Sequence, residues 1–492
     1  LPNQSFKRDF RQEAIREYGS PGKHYFVTCH PGLEAVVERE LHDLGIKQVK
    51  LQKAGVSFNA PLSSAYKANL FLRSGIRVLQ YLSQAELDPR QPGGDEVYRA
   101  FRELPNVNWP EIIAPDQSFH IDARLGSCTK LTNSNLLAVR AKDAICDAIR
   151  DKRGAKPYPP PPGRTADVPL YVAAFQDRIT VYRDMSGESL HRRGYRQAMH
   201  IASLNESAAA GVLYLAGLKD KLDKNLRAGG KEQLVIADPM CGSGTFLIEA
   251  ALMATNTAPG LYRNWWPFLG WKDGSQDFGE WRDAVEEARD LRRIMRDDAG
   301  DGGVLFYGND VHAGALTLAQ RDIMTAEVSH MIKLHHGNCA EWKLPHKPCL
   351  VVANPPWGGR LDYVRRPGGS VSQPFGVEDD MYDVDSIGGG RGGGVEGEER
   401  LAMTWTDLRA FLKNECTETD AFILSGNADI TSQLRMKSKR KYPLTIGGVD
   451  CRLLHYEILP ALTEEKKKEL GLLNNNDKGS GLGRKKTDVW KL

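Results

Sequence analysis

The sequence predicts an open α/β sheet, mostly parallel and closed by an antiparallel pair, with smaller α+β units in front of it. Three observations carry that prediction. Five short apolar runs, at 233–238, 304–310, 332–338, 348–354 and in the 420s, each end in a polar residue, and most lead into a helical stretch, the pattern of a parallel sheet covered on both faces. The closing LTIGGVDCRLLHYEIL, 444–459, reads as two strands about a Gly-Gly turn. Far upstream, HYFVTCHPGLEAVVERELHDLG, 24–45, reads as strand, turn and helix, with Leu33, Val36, Val37 and Leu41 on the apolar side.

Taken in order, residues 1–21 are polar and basic and are expected to form a flexible arm. A first α+β unit occupies 22–85 and a second 86–185. In the second, SFHIDARLG is a strand, TNSNLLAVRAKDAICDAIRDK a helix capped by Thr132 or Asn133, and LYVAAF and RITVYRD are strands after the linker-like PYPPPPG. The helical spacing puts Leu136, Val139, Ile145, Cys146 and Ile149 inside and turns Arg140, Lys142 and Arg150 toward solvent. The α/β sheet takes 186–460. Two segments interrupt it: an insert over 256–300 that is aromatic-rich from 256 to 281, and the Gly-rich 364–400, with GGGRGGGVEGEE, whose composition predicts disorder. The tail, 461–492, is basic and Asn-rich and is expected to be disordered as well.

A chain of 492 residues exceeds one core, and 26% charged with 41% hydrophobic residues is ordinary for a soluble globular protein. With 66 Lys and Arg against 63 Asp and Glu, bulk charge does not announce a nucleic-acid partner. Local clusters at 150–156, 191–196, 435–441 and 483–486 do more: each alone is an ordinary solvated face, and four together bring a binding patch level with that reading. The eight cysteines include no C-x-x-C pair and no zinc spacing, so they read as free thiols in a reducing compartment, with no metal. TFLIEAALMA, 245–254, is too short to span a bilayer and contains Glu249, so no membrane segment is expected. The chain begins at Leu1, which fits a cytoplasmic protein or, if a transit peptide was removed, an organelle such as the chloroplast.

Three motifs carry chemistry. DPMCGSGTFLIEAA, 238–251, is a strand end, a glycine loop and a helix, an arrangement that offers backbone N–H groups to a ligand; without G-x-x-x-x-G-K-[ST] it is no P-loop. Asp310, closing the next strand in GND, is placed to accept both hydroxyls of a ribose. In NPPWGGR, 354–360, two prolines lack N–H groups and hold the chain extended with their carbonyls free. Asn354 can accept one hydrogen bond from an –NH2 group, a proline carbonyl the other, and Trp357 offers a π-face to a flat ring. Singly these are a tight turn and a Pro-Pro turn on a half-buried indole; on successive strands they converge on a nucleoside cofactor and an amino heterocycle.

The triplet resembles class I (Rossmann-like) S-adenosylmethionine-dependent methyltransferases of the N-P-P-aromatic group, which modify exocyclic amines. Together with SLHRRGYR, 189–196, and LTNSNLLAVRAKDAICDAIR it resembles, over roughly 22–460, the THUMP-containing RlmL type, which methylates N2 of a guanine in large-subunit ribosomal RNA. The resemblance implies a ferredoxin-like unit over 22–85, a THUMP RNA-binding module over 86–185 and S-adenosylmethionine as cofactor. It implies cofactor contacts from Asp238, Pro239, Cys241, Gly242, Gly244, Thr245, Asp310, Asn338 and Asn354. Asn354, Pro355, Pro356 and Trp357 would grip the target base, and Arg140, Lys142, Arg192, Arg193 and Arg196 would touch RNA. The same domains on a transfer RNA, or a non-catalytic RNA-binding assembly factor, are the alternatives, and oligomeric state is left open. The sequence departs from the family pattern at Asn338, where an acid often stands, at Trp357, where Tyr is commoner, and at 447–449, where Asn-Gly is usual. A long insertion follows Arg360, and the second methyltransferase domain of some bacterial relatives is not expected.

Overall fold

A computed structural model describes residues 23–160, 165–196, 204–230, 232–293, 303–358 and 395–460. The expected arm, the basic tail and most of the Gly-rich segment lie outside these residues. One part of that segment lies inside: a helix, Val395–Glu415, begins within the stretch expected to be disordered, because Leu401, Trp405, Leu408 and Phe411 follow the acidic run at helical spacing. Among the described residues no helix is long and apolar enough to cross a membrane, and all eight cysteines are free.

The first seven strands, β1 (His24–Cys29), β2 (Gln48–Gln52), β3 (Gly55–Asn59), β4 (Gly75–Glu86), β5 (Phe119–Gly126), β6 (Val168–Phe175) and β7 (Arg178–Asp184), form one sheet in the order β2-β3-β1-β4-β7-β6-β5. The two α+β units therefore share a sheet. Its joint is the twelve-residue β4, whose near end pairs with β1 and whose far end pairs with β7. The helix Ser134–Arg153 is capped by Asn133, whose side chain accepts the Asn135 and Leu136 N–H groups. Its inward face agrees with the expected one at Ile145, Cys146 and Ile149 and departs from it in the first turns, where Leu137, Ala141 and Ala144 are buried and Leu136 and Val139 are 41% and 54% exposed. The apolar positions run as two adjacent stripes, and the bulk of Leu136 and Val139 did not decide which stripe faces the sheet.

The second sheet is built from β8 (Leu234–Asp238), β9 (Val304–Asp310), β10 (Ile332–His336), β11 (Leu350–Ala353), β12 (Thr419–Ser425), β13 (Arg440–Ile446) and β14 (Val449–Ile458), in the order β10-β9-β8-β11-β12-β14-β13. Strands β8 to β12 are parallel, and β14 runs antiparallel to both β12 and β13. Gly447 and Gly448, at φ +58° and +77°, make the hairpin turn. The hairpin starts earlier than expected, so Arg440 and Lys441 of the basic run 435–441 belong to β13. The helix Thr245–Ala254 is buried at every position between a sheet and the helix Glu206–Leu215, its one charged residue, Glu249, included.

The aromatic-rich segment packs back onto the N-terminal sheet rather than onto the strands that flank it in sequence. Trp266, Phe268 and Trp271 lie in the same core as Tyr25, Phe58 and Tyr66. Phe268 is 4.7 Å from Tyr66 between ring centres. Arg183 of β7 stacks over Trp271 at 3.8 Å and pairs with Asp273 at 2.7 Å. The helix Phe278–Asp290 lies along the helix Leu62–Phe71, where Lys67 pairs with Glu287. From the other direction, Leu33 and Val36 reach into the core of the second sheet, and the Thr445 N–H of β13 donates to the Pro31 carbonyl at 3.0 Å.

Candidate active site

Parallel neighbours deliver their C-terminal ends to one edge. Asp238 ends β8, Asp310 ends β9 and Asn354 follows β11. β8 is also where the strand order reverses, with β9 and β10 on one side and β11 and β12 on the other, so a crevice opens between the β8 and β11 ends.

The glycine loop is held from the neighbouring strand. Asp310 accepts the Gly242 N–H on one oxygen and the His312 N–H on the other, each at 2.8 Å, and each oxygen keeps a second lone pair for a further donor. Gly242 sits at φ +54° with open space where a Cβ would be, so the backbone angle is what calls for glycine there. Asp238 accepts the Met240 N–H at 3.1 Å. Its carboxyl is pushed well above the ordinary value by burial, with the Met240 bond opposing and the Asp310 charge adding. Burial likewise raises the Cys241 thiol, which makes it a neutral lining group. Pro239 offers its carbonyl to Asn309, and Thr245, after Gly244 at φ +75°, starts the helix.

Asn309, which sequence reasoning passed over beside Asp310 in GND, ties the two sides of this pocket. Its amide donates to the Pro239 carbonyl at 3.1 Å and to the Gly337 carbonyl at 3.0 Å, and its oxygen meets His335 Nδ1 at 2.7 Å. Asn338 follows Gly337 and accepts the Ala340 N–H at 2.9 Å while donating to Asp407 at 3.0 Å. Asn338 thus holds the position itself, and an acid, Asp407, stands behind it as the acceptor of its side-chain amide.

At the other side of the crevice, the Asn354 Oδ1 atom is buried and has no hydrogen-bond partner among the described residues. An unmet buried acceptor costs about 1–3 kcal/mol, so its retention points to a donor that arrives from outside. Pro355 is buried and Pro356 exposed. The Trp405 indole N–H donates to the Pro356 carbonyl at 2.9 Å. Trp357 is half-buried; its N–H donates to the Leu424 carbonyl at 3.2 Å and Asn427 donates to its own carbonyl at 2.9 Å. A Cβ at Gly426 would lie 2.4 Å from the indole, so glycine is what lets the ring seat. Trp405 and Asp407 carried no signal in the sequence, because their helix follows the low-complexity stretch and their partners lie 49 and 69 residues away.

The expected RNA-contacting arginines divide. Arg193 and Arg196 are corrected by the structure: both side chains are interior. Arg193 pairs with Glu249 at 3.4 Å inside the molecule, where the Tyr195 hydroxyl also donates to Glu249 at 3.1 Å. Arg196 pairs with Glu206 at 3.3 Å and donates to Thr245 Oγ1 at 2.5 Å, at the start of the cofactor-loop helix. They are structural cations whose acids come from distant elements. Arg192 and Lys142 are exposed. Arg140 is partly buried, bound to the Gly94 carbonyl and Asp95 and stacked over Tyr98 at 5.1 Å.

Comparison with known proteins gives three domain matches: the RlmL ferredoxin-like domain over residues 24–79, the THUMP domain over 95–184 and the RMKL-like methyltransferase domain over 193–368. A protein of Cellvibrio japonicus named ribosomal RNA large subunit methyltransferase K/L is 31% identical over 438 residues, 88% of this chain and 51% of that protein. A protein of Synechocystis, named provisionally as an RNA methyltransferase, is 28% identical over 440 residues, 88% of this chain and 96% of that one. The chain thus spans about half the length of the K/L relatives and nearly all of the Synechocystis protein. A crystal structure of a chain complexed with SAH superposes with a TM-score of 0.67 at 21% identity, covering 89% of this chain and 99% of that one, a likeness of fold.

Proposed function

Because the chain carries an RlmL ferredoxin-like domain, a THUMP domain and an RMKL-like methyltransferase domain in that order, we propose that it transfers a methyl group from S-adenosylmethionine to N2 of a guanine in large-subunit ribosomal RNA. The observation that carries the chemistry is the unpartnered, buried Asn354 oxygen at the strand edge beside the glycine loop. The pocket fits the cofactor: a glycine loop with free approach at Gly242, Asp310 for the ribose, Asn338 for the adenine edge, with Asp238, Pro239, Cys241, Gly244 and Thr245 shaping the wall. Bound there, the cofactor supplies an electrophilic methyl group.

The protein's part is positional. The lone pair of a guanine N2 is spread into the ring, so the nitrogen must be pyramidalised and aimed. Asn354 Oδ1 and the Pro355 carbonyl, pulling on its two hydrogens, do both. Asn354 is no base, and the proton lost after transfer goes to water; alignment supplies most of the rate. A paired base cannot reach this crevice, so the target is single-stranded or flipped and stacks on Trp357. The shared sheet from His24 to Asp184, with Lys142 and the nearby Arg192 exposed, serves to hold the RNA. Free thiols throughout suit a reducing compartment, cytoplasmic or organellar.

The test is to incubate total RNA with the full chain and labelled S-adenosylmethionine and to map the modified nucleosides by mass spectrometry. N2-methylguanosine in large-subunit ribosomal RNA is the expected product. N6-methyladenosine would overturn the target base, label confined to transfer RNA would overturn the substrate, and no label would leave an RNA-binding assembly factor.

A further inference from the structure

One helix touches both halves of the site. Trp405 of Val395–Glu415 is fully buried and donates its indole N–H to the Pro356 carbonyl at 2.9 Å, within the N-P-P-W loop. Two positions on, Asp407 accepts from Asn338 at 3.0 Å, in the loop after β10. Residues two apart on a helix diverge by about 200°, which suits a helix wedged between two loops. A third contact locks it: Phe411 stacks on Trp342 with centres 5.2 Å apart, Trp342 stacks on His335 at 6.0 Å, and His335 meets Asn309, the residue that joins the glycine loop to the Gly337 carbonyl.

Resting on the reading above, we infer that Asp407 and Trp405 are positioning residues with separate clients, Asp407 for the adenine end of the cofactor and Trp405 for the carbonyl row that receives the target amine. Asp407 accepts from the Asn338 NH2 group while the Ala340 N–H donates to the Asn338 oxygen, so the amide is held from both ends and the second lone pair of that oxygen, its dipole deepened by the neighbouring carboxylate, is left for an adenine amine. An acid acting through an amide takes the place of an acid at the position itself. Trp405 donates to the Pro356 carbonyl and fixes that peptide plane, next to the Pro355 carbonyl and Asn354 that receive the target amine.

The experiment uses the full chain, with S-adenosylmethionine titrated by calorimetry and methyl transfer measured on protein-free large-subunit ribosomal RNA. Asp407→Asn keeps a possible hydrogen bond but removes the charge; the cofactor Kd should rise on the order of tenfold with kcat at saturating cofactor unchanged. Asn338→Asp combined with Asp407→Asn restores an acid and a donor in exchanged places and should recover most of that loss. Trp405→Phe keeps the ring and loses the N–H; turnover should fall with the cofactor Kd unchanged. If either variant shifts both parameters together in step with a lowered melting temperature, the residues are merely structural and the inference fails. Unaltered cofactor binding by Asp407→Asn also sinks it. Absence of cofactor binding by the unaltered chain would instead bring down the underlying reading, and this inference with it.

Discussion

At Asn354 stability and activity are set against each other. Among the described residues the buried oxygen has no partner, so replacing the side chain with alanine removes an unmet acceptor. Asn354→Ala is expected to abolish methyl transfer, to leave the cofactor Kd unchanged, and to hold or raise the melting temperature. A melting temperature several degrees lower would mean that the amide has a structural partner. Asp310→Ala removes the acceptors of two backbone N–H groups as well as the proposed ribose anchor, and cofactor affinity should fall by about 1.5–3 kcal/mol per charge-assisted bond lost, read by calorimetry. His30 gives a pH signature. Burial first, and His191 beside it, push its imidazole down from the ordinary 6.5 to about 4. Between those values the unfolded chain holds a proton that the folded one does not, so stability rises with pH through this window and is lost on acidification. The span is about 3 kcal/mol at 1.36 kcal/mol per unit. Urea unfolding of His30→Gln from pH 4 to 7 should show a flatter pH dependence than the unaltered chain. The placement of Asp310 and Asn354 at strand ends was legible because each ends an apolar run in a recognisable motif; Arg193 and Arg196 were misread because their acids, Glu249 and Glu206, lie in other elements, and a basic run in sequence says nothing of what faces it.

Elements built on hydrogen-bond periodicity and turn chemistry followed from the sequence: five parallel strands, the glycine loop and the Gly447-Gly448 hairpin all stand close to where their residues put them. Elements whose facing depends on a partner did not. The helix Ser134–Arg153 buries Ile145, Cys146 and Ile149 as expected but turns Leu136 and Val139 outward, and the start of Val395–Glu415 was hidden in glycine-rich composition. The glycine loop permits a sharp test at this scale. An alanine at Gly242 meets no atom but must adopt φ +54°, a left-handed conformation that costs an L-residue about 1–2 kcal/mol. Gly242→Ala should therefore lower the melting temperature by a few degrees and weaken the cofactor by a similar free energy, whereas an alanine at Gly270, where no positive φ is required and space is open, should do neither.

Across the whole molecule, the two sheets are joined by residues that each sends into the other. Gly32, at φ +95°, lies so close to β13 that a Cβ would fall 2.4 Å from the Pro443 carbonyl, and Leu33 and Val36 beyond it are part of the second core. In return, Trp266, Phe268 and Trp271 complete the first. Such a seam makes the chain one cooperative unit. Phe268→Ala should cost about 3–5 kcal/mol and shift a single calorimetric transition as a whole. Two separated transitions, with only the first moved, would show that the modules unfold on their own.

The return of residues 266–288 to the N-terminal core also bears on synthesis. The strands of the first sheet leave the ribosome by residue 184, yet Trp266, Phe268, Trp271, Ala284 and Ala288, which close their core, follow on the order of a hundred residues later. At about 5–20 residues per second the nascent sheet waits several seconds or more with that apolar surface uncovered. The N-terminal sheet is thus closed only after the glycine loop at 238–244 has been made, though before β9 begins at Val304, whereas the second core, which takes in Leu33 and Val36, cannot close without the first part of the chain.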